Sequence, residues 1–272
     1  MTSDAIFQLP ERTIISMSGP DTRALLQRVI TADVEAFPVG SCRPGALLTP
    51  QGKILCDFMM FSREDGIDID IHASAAEGLV KRLGLYKLKA DVVITPLENR
   101  VSLWSQVSFS GSTPDPRLAD GLFRAIGLVD NGHEVRSLDE IEIPAGIPAF
   151  GRDYGEAQVF PTDVNLDVHG GVGWKKGCFI GQEVVSRMKR RGTIRKRSLA
   201  AAFDGPAPQA GATLKADSAT LGEITSASGR HAIALIRLDK LDAADAPVTA
   251  EELTAHIEVP EKLKPEPAAE KI

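Results

Sequence analysis

The stretch GIDIDIH, Gly66 to His72, alternates strictly, with Ile67, Ile69 and Ile71 on one side and Asp68, Asp70 and His72 on the other. A period of two predicts a strand with one face in a core and the other in water. RTIISMSG reads as a further strand, and GPDTRALLQRVIT then reads as a helix. Pro20 suits its first turn, Asp21 complements its dipole, and Leu25, Leu26 and Val29 recur along one face. ALLTPQGKILCDFMMF predicts strand, tight turn and strand, with Pro50 and Gly52 marking the turn. The spacing further predicts a helix over 75–86, strands near 91–94 and 101–107, a loop and helix in STPDPRLADGLFRAIG, and a strand in EIEI. This order of elements fits an α+β layer better than a doubly wound parallel sheet. From about 198 to 245, short strands separated by Gly, Pro and Asp predict a small β-barrel. EELTAHIEVPEKLKPEPAAEKI reads as a charged, proline-bearing tail that packs little.

Composition narrows the class. A chain of 272 residues, 43% hydrophobic and 25% charged, has material for two or three packed units. Only 5% is aromatic, which argues against base-stacking platforms for single-stranded nucleic acid. No basic region followed by an apolar stretch opens the chain and no run is long enough to span a bilayer, so a cytoplasmic protein without membrane contact is expected. Three cysteines, Cys42, Cys56 and Cys178, form no C-x-x-C pair, and five histidines are scattered singly. That pattern suits neither a disulfide framework nor a resident metal, and one chain with three cysteines cannot build a four-cysteine cluster.

Three features carry chemistry. In KKGCFIGQEVV, residues 175–185, Cys178 follows two lysines and stands between Gly177 and Gly181. Lys175, Lys176 and the N-terminus of a helix beginning near Gln182 would all favour a thiolate, while the glycines would allow a partner to approach. A buried structural thiol is as good a reading on spacing alone. Second, the run 187–197 holds seven cations, and without them the net charge of −6 would be −13. Such asymmetry suits a phosphate, a polycarboxylate tail such as a polyglutamate, or an acidic partner; a solvated helix end explains it equally well. Third, Asp57 shares a side of its strand with Leu55 and Met59. If that side faces a cleft, its carboxylate needs a partner; otherwise it is an exposed strand residue.

The stretch KKGCFIGQEVVSRMKRRG resembles the K-G-C-[FY]-x-G-Q-E signature of the YgfZ folate-binding family. These are paralogues of the glycine-cleavage T-protein and include mitochondrial relatives that act in iron–sulfur assembly. SGPDTRALLQRVITADV, LLTPQGKILCDFMMF, AGIPAFGRDYGE, FPTDVNLDVHGGVGWKKGC and GTIRKR agree, so the likeness runs to about residue 240. It implies an α+β fold, a T-protein-like cloverleaf of α/β lobes around a central folate pocket with a small C-terminal β-barrel. Residues 1–50 with about 140–196 would form the first lobe, about 51–139 the second, about 197–250 the barrel and 251–272 the tail.

The resemblance also implies tetrahydrofolate or a derivative as ligand. The role would be that of an accessory factor more than a conventional enzyme, supporting [4Fe–4S] enzymes, tRNA-modifying ones among them. Partners would be iron–sulfur enzymes or assembly proteins, with tRNA involved only indirectly. Cys178 would be the functional thiol within a loop of Lys176, Gly177, Gly181, Gln182 and Glu183. Asp57 would face the pterin, and Arg190, Arg191, Arg195 and Lys196 would form an anion patch. Two departures stand out. Cys56 replaces one member of the acidic pair found in T-proteins, and EIPAG carries Pro144 where R-x-E-A-G carries the glutamate. The alternative, a folate-dependent aminomethyltransferase, implies a longer chain and a G-Y-T-G-E segment, which GLVDNGHEVRSLDE does not supply.

Overall fold

The computed structural model describes residues 5–118, 121–129, 132–192, 194–257 and 259–263. The chain begins with β1 (Phe7–Gln8), β2 (Arg12–Ser18) and α1 (Thr22–Val29). The hairpin β3 (Cys42–Leu48) and β4 (Ile54–Arg63) follows, then β5 (Gly66–His72), α2 (Ala73–Lys87) and β6 (Val93–Leu97). One antiparallel sheet results, in the order β3-β4-β5-β2-β6. Ile67, Ile69 and Ile71 enter a core with Leu25, Leu26 and Val29 of α1 and Leu79 and Leu83 of α2, the apolar stripes of two amphipathic helices closing over one face. The other face is not in water as the alternation predicts: Asp70 is fully buried and Asp68 nearly so. Alternation locates the strand correctly, but its polar face is covered: Asp70 pairs with Arg12 of β2 and with Arg124 from a second sheet, and Asp68 pairs with Arg63 of β4.

That second sheet is built from β7 (Arg100–Ser105), β8 (Thr113–Pro114), β9 (Phe123–Leu128) and β10 (Glu134–Val135) together with β1, in the order β10-β1-β7-β9-β8. Leu9, Trp104, Leu122 and Leu138 form a small core beneath it. Two sequence expectations are corrected here. The predicted helix in STPDPRLADGLFRAIG is β8 and β9, because pairing with β7 from Arg100↔Leu128 to Ser105↔Phe123 overrides local helical preference. The predicted strand EIEI is a single helical turn, α3 (Asp139–Glu142). The lobe boundary expected near residue 50 is also displaced. It would cut the β3–β4 turn and split one sheet, whereas the two sheets part between β6 and β7 and β1 belongs to the second.

Residues 143–181 run mostly as turns. Through Tyr154, Val164, Leu166 and Phe179 they pack onto Ala46, Leu48 and Ile54 of the first sheet, and they lead into α4 (Gln182–Arg190). The remaining elements are β11 (Lys196–Phe203), β12 (Thr213–Ala216), β13 (Ala219–Ser228), β14 (His231–Arg237), α5 (Leu238–Leu241), β15 (Val248–Ala250) and β16 (Leu253–Ile257). The six strands close a barrel in the order β11-β14-β13-β12-β15-β16. Residues 251–257 are therefore not a loose tail. β16 pairs with β15 and β11 and removes the last open edge, which short alternation in so charged a segment did not reveal. Residues 264–272 of the expected tail lie outside the described residues.

Candidate functional site

A cavity of about 410 Å³ opens between the two sheets and the segment 147–154. β4 places Asp57 and Met59 in its wall, while Cys56 on the opposite side of the strand is buried in the helical core. The Tyr154 hydroxyl donates to Asp57 Oδ2 at 2.8 Å, and Asp57 Oδ1 has no partner among the described residues. Burial raises the Asp57 pKa, against the opposing pull of the Arg12 guanidinium and the Tyr154 hydroxyl. The same burial, reinforced by the neighbouring Asp57, raises the Tyr154 phenol well above its usual range, so Tyr154 remains a donor. Phe150 meets the Tyr154 ring edge-on at 5.9 Å and adds an aromatic wall.

Behind this pair runs a ladder of alternating charges. Arg12 Nε donates to Asp70 Oδ1 at 2.7 Å, and Arg124 Nη2 and Ser102 Oγ each reach Asp70 Oδ2 at 2.5 Å. Burial alone would raise the Asp70 pKa, but the two guanidinium groups and Ser102 hold it below the ordinary value. Asp115 lies 3.4 Å from Arg124 and 2.8 Å from Arg117, whose other contact is Glu142 at 2.9 Å. Glu142 also receives Arg152 Nη1 at 3.2 Å. Both oxygens of Glu142 are thus engaged, and Asp57 alone among these acids offers a free oxygen to the cavity. His169 closes one edge and is neutral near pH 7, because burial lowers its pKa to about 4.

Sequence reasoning names Asp57 but misses Tyr154, Glu142 and the four arginines. Arg152 and Tyr154 lie in AGIPAFGRDYGE, matched there only as a likeness, and Arg117 and Arg124 lie in the stretch misread as helical. Pro144 replaces an acid at its own position, yet Glu142 two residues earlier brings one into the cavity wall.

The signature loop is elsewhere. Cys178 is exposed and does not line the cavity. Lys175 and Gly177 are exposed beside it. Lys176 does not act as read from the sequence. It is turned inward, and its ammonium donates to the carbonyls of Ile30 at 2.8 Å and Ala32 at 2.6 Å. Burial lowers its pKa to about 8. Gly181 has φ +78°, and a Cβ there would meet the Thr49 carbonyl oxygen at 2.6 Å, so its role is close packing on the β3–β4 turn. Gln182 Oε1 accepts from the Phe179 amide at 3.3 Å and shapes the loop, while Glu183 is exposed in the first turn of α4. Arg190, Arg191, Arg195 and Lys196 are exposed and line no part of the cavity. Among the described residues, no helix is long and apolar enough to cross a membrane.

Comparison with known proteins fits this architecture. Residues 195–265 match the family of CAF17 C-terminal beta-barrel domains. The human mitochondrial iron–sulfur cluster assembly factor IBA57 is 26% identical over 87% of this chain and 78% of its own. Mitochondrial IBA57 homologues of Mycosarcoma maydis and Pyricularia oryzae are 28% and 30% identical over 72% and 70% of this chain. The chain spans little more than half the length of these fungal relatives, 56% and 55%. The crystal structure of the glycine cleavage system aminomethyltransferase T from Bartonella henselae superposes with a TM-score of 0.76 over 96% of this chain and 86% of the other, at 17% identity. Fold, barrel and relatives agree: the chain has the fold of the glycine cleavage T-protein, ends in a barrel similar to the CAF17 C-terminal domain, and is similar to the IBA57 assembly factors over most of its length.

Proposed function

We propose that this protein is a folate-binding accessory factor in iron–sulfur cluster assembly or repair, supporting [4Fe–4S] enzymes, with Cys178 as its functional thiol. Similarity to an iron–sulfur cluster assembly factor over 87% of the chain carries the reading. The cavity supports the ligand class. Its volume is in the range of small-molecule sites, and it is concave, partly aromatic and furnished with few free polar groups. A reduced pterin presents several N–H donors along one edge, and the open Asp57 Oδ1 is the acceptor such an edge requires. Tyr154 holds the carboxylate in place, and Phe150 flanks the ring plane. Bound folate would supply a one-carbon carrier; the chain's own residues orient it and exclude water. The acidic residue expected at 144 is absent, so the reading is of binding and support, not of aminomethyl transfer.

The experiment is calorimetric titration with tetrahydrofolate, paired with assay of a [4Fe–4S] enzyme in cells lacking the protein. Saturable binding is expected, and Asp57→Ala should weaken it by roughly 1–3 kcal/mol, the worth of a hydrogen bond to a charged group. Unchanged affinity in a folded Asp57→Ala protein removes Asp57 from the site. Undiminished enzyme activity in the deletion strain overturns the assembly role.

A further inference from the structure

A second and larger cavity, of about 810 Å³, lies against the barrel and takes no part in the site beside Asp57. β11 and β16 give it a floor of small side chains, Ala200, Ala202 and Ala255, and Leu241, Val248 and Leu263 stand around them. Two stretches of chain separate the cavities. Pro144, Ala145 and Gly146 line the second, and the residues that follow, from Ile147 to Arg152, line the first. Asn165 lines the second, while its neighbours Val164 and Leu166 line the first. Among the described residues, His169 is the one that belongs to both linings.

This partition holds two polar side chains that the chain does not satisfy. Asn165 is 2% exposed; its Nδ2 donates to the Ser198 carbonyl at 2.6 Å, but Oδ1 has no partner among the described residues. His169 is 9% exposed, and its Nδ1 likewise has no partner among them. Buried polar groups are nearly always bonded, so two orphans in one wall point to a group from outside the chain. A single water would suit a small polar void; this space is many times larger and mostly apolar. The charge around it has one sign. Lys262, His231 and His256 line it, and no carboxylate does among the described residues; Asp204, 3.3 Å from His256, stands outside the lining. His169 lies in the fields of Lys262, Arg117 and Arg197, with Asp115 opposing them. A cation is disfavoured there, and an inorganic anion would leave the alanine floor uncovered. The histidines do not converge on a metal, since the described residues hold no group of three ligands that could bind one.

We propose that the barrel-side cavity is a second binding site, for a small organic carboxylate with an apolar body. The body rests on Ala200, Ala202 and Ala255, and the carboxylate turns toward Lys262 and the neutral imidazole of His169, which donates from one ring nitrogen. An N–H or O–H on the ligand meets Asn165 Oδ1. The site is independent of what the first cavity holds, so it stands or falls apart from the folate reading above.

The test is calorimetric titration of the full chain with octanoate at pH 7, with octylammonium and inorganic phosphate as controls for the sign of charge and for the apolar body. Octanoate should bind at one site with a Kd below about 1 mM, roughly tenfold tighter than octylammonium, and phosphate should show no saturable binding. Ala202→Leu fills the floor and should weaken octanoate roughly tenfold. Lys262→Met should weaken it about threefold, the worth of a partly exposed charge pair. Lys262 is exposed, so this variant keeps the fold even where the leucine is not accommodated. Neither residue lines the first cavity, so tetrahydrofolate affinity should be unchanged in both. The absence of saturable octanoate binding, equal binding of octylammonium, or undiminished binding in folded Ala202→Leu or Lys262→Met overturns the site. Strict competition between octanoate and tetrahydrofolate overturns its being a second site and makes it an arm of the first. If octanoate binds as expected and tetrahydrofolate does not bind, the folate reading fails and this site stands.

Discussion

Lys176 gives the sharpest test of how the signature loop is built. Its ammonium sits 2.8 and 2.6 Å from the carbonyls of Ile30 and Ala32, and the side chain is buried. Two hydrogen bonds from a charged donor contribute roughly 3–6 kcal/mol together. Against this, a pKa lowered from 10.5 to about 8 means that the charged form costs about 3 kcal/mol more in the folded protein than in the unfolded chain. Lys176→Met keeps the length and removes both terms, so the net loss at pH 7 should be no more than about 3 kcal/mol by urea denaturation. The pH dependence is more decisive. Between about pH 8 and 10.5 the unfolded chain still holds the lysine proton that the folded protein has released, so this residue's contribution makes stability rise with pH in that window. Cys42 and Cys56, kept protonated to about 12 by burial, act in the opposite sense above pH 9. Their effect cancels when wild type and Lys176→Met are compared, and the gap between the two proteins should widen across the window. Alkylation of Cys178 should be equally fast in both. A flat difference from pH 8 to 10.5, or markedly slower alkylation in the variant, refutes the structural role and returns Lys176 to the thiol.

Two further substitutions probe the frame of the site. Gly181→Ala should cost at least about 2 kcal/mol in chemical denaturation, because φ is +78° and a Cβ meets the Thr49 carbonyl oxygen, whereas Gly177→Ala, with open space around it, should match wild type. Arg124→Met should cost about 3 kcal/mol, the low end for a broken buried pair because Arg12 still holds Asp70 and Arg117 still holds Asp115. As pH falls through the lowered pKa of Asp70 this stabilisation disappears, so acid unfolding should begin at higher pH in the variant.

What the sequence reveals depends on how local the cause is. The alternation in β5, the stripes of α1 and α2 and the turn at Pro50–Gly52 each follow from neighbours along the chain, and each element is present. β9 is strand only because β7 lies beside it, and β16 only because the barrel must close on β11. Neither partner is near in sequence. The same limit applies to the site. Asp57 is noticeable as a carboxylate in an apolar strand, but Tyr154, its hydroxyl partner, is 97 positions away. Arg124 reads as an ordinary surface residue until Asp70, 54 positions earlier, is found buried at 2.5 Å. Lys176 misleads for a related reason, since adjacency to Cys178 suggests electrostatics while the carbonyls it serves lie over 140 positions away.

The barrel also gains a place in the argument through Asp153. Its Oδ1 accepts from the hydroxyls of Thr225 and Ser226, each at 2.6 Å, and its Oδ2 accepts from the Ala149 amide at 2.9 Å and Arg152 Nε at 2.8 Å. The two hydroxyls stand at the irregularity of β13 between Ile224 and Ser226, where the strand departs from regular pairing. The barrel thus clamps the segment that supplies Arg152 and Tyr154, and the cavity depends on all three parts of the chain. Segment 143–181 then carries the thiol away from that cavity. Tyr154 and Phe179 belong to one apolar cluster, so Cys178, adjacent to Phe179, is joined to the cavity through packed side chains instead of direct contact. The cavity and the exposed loop are thus separate places on the chain, linked by that cluster of packed side chains.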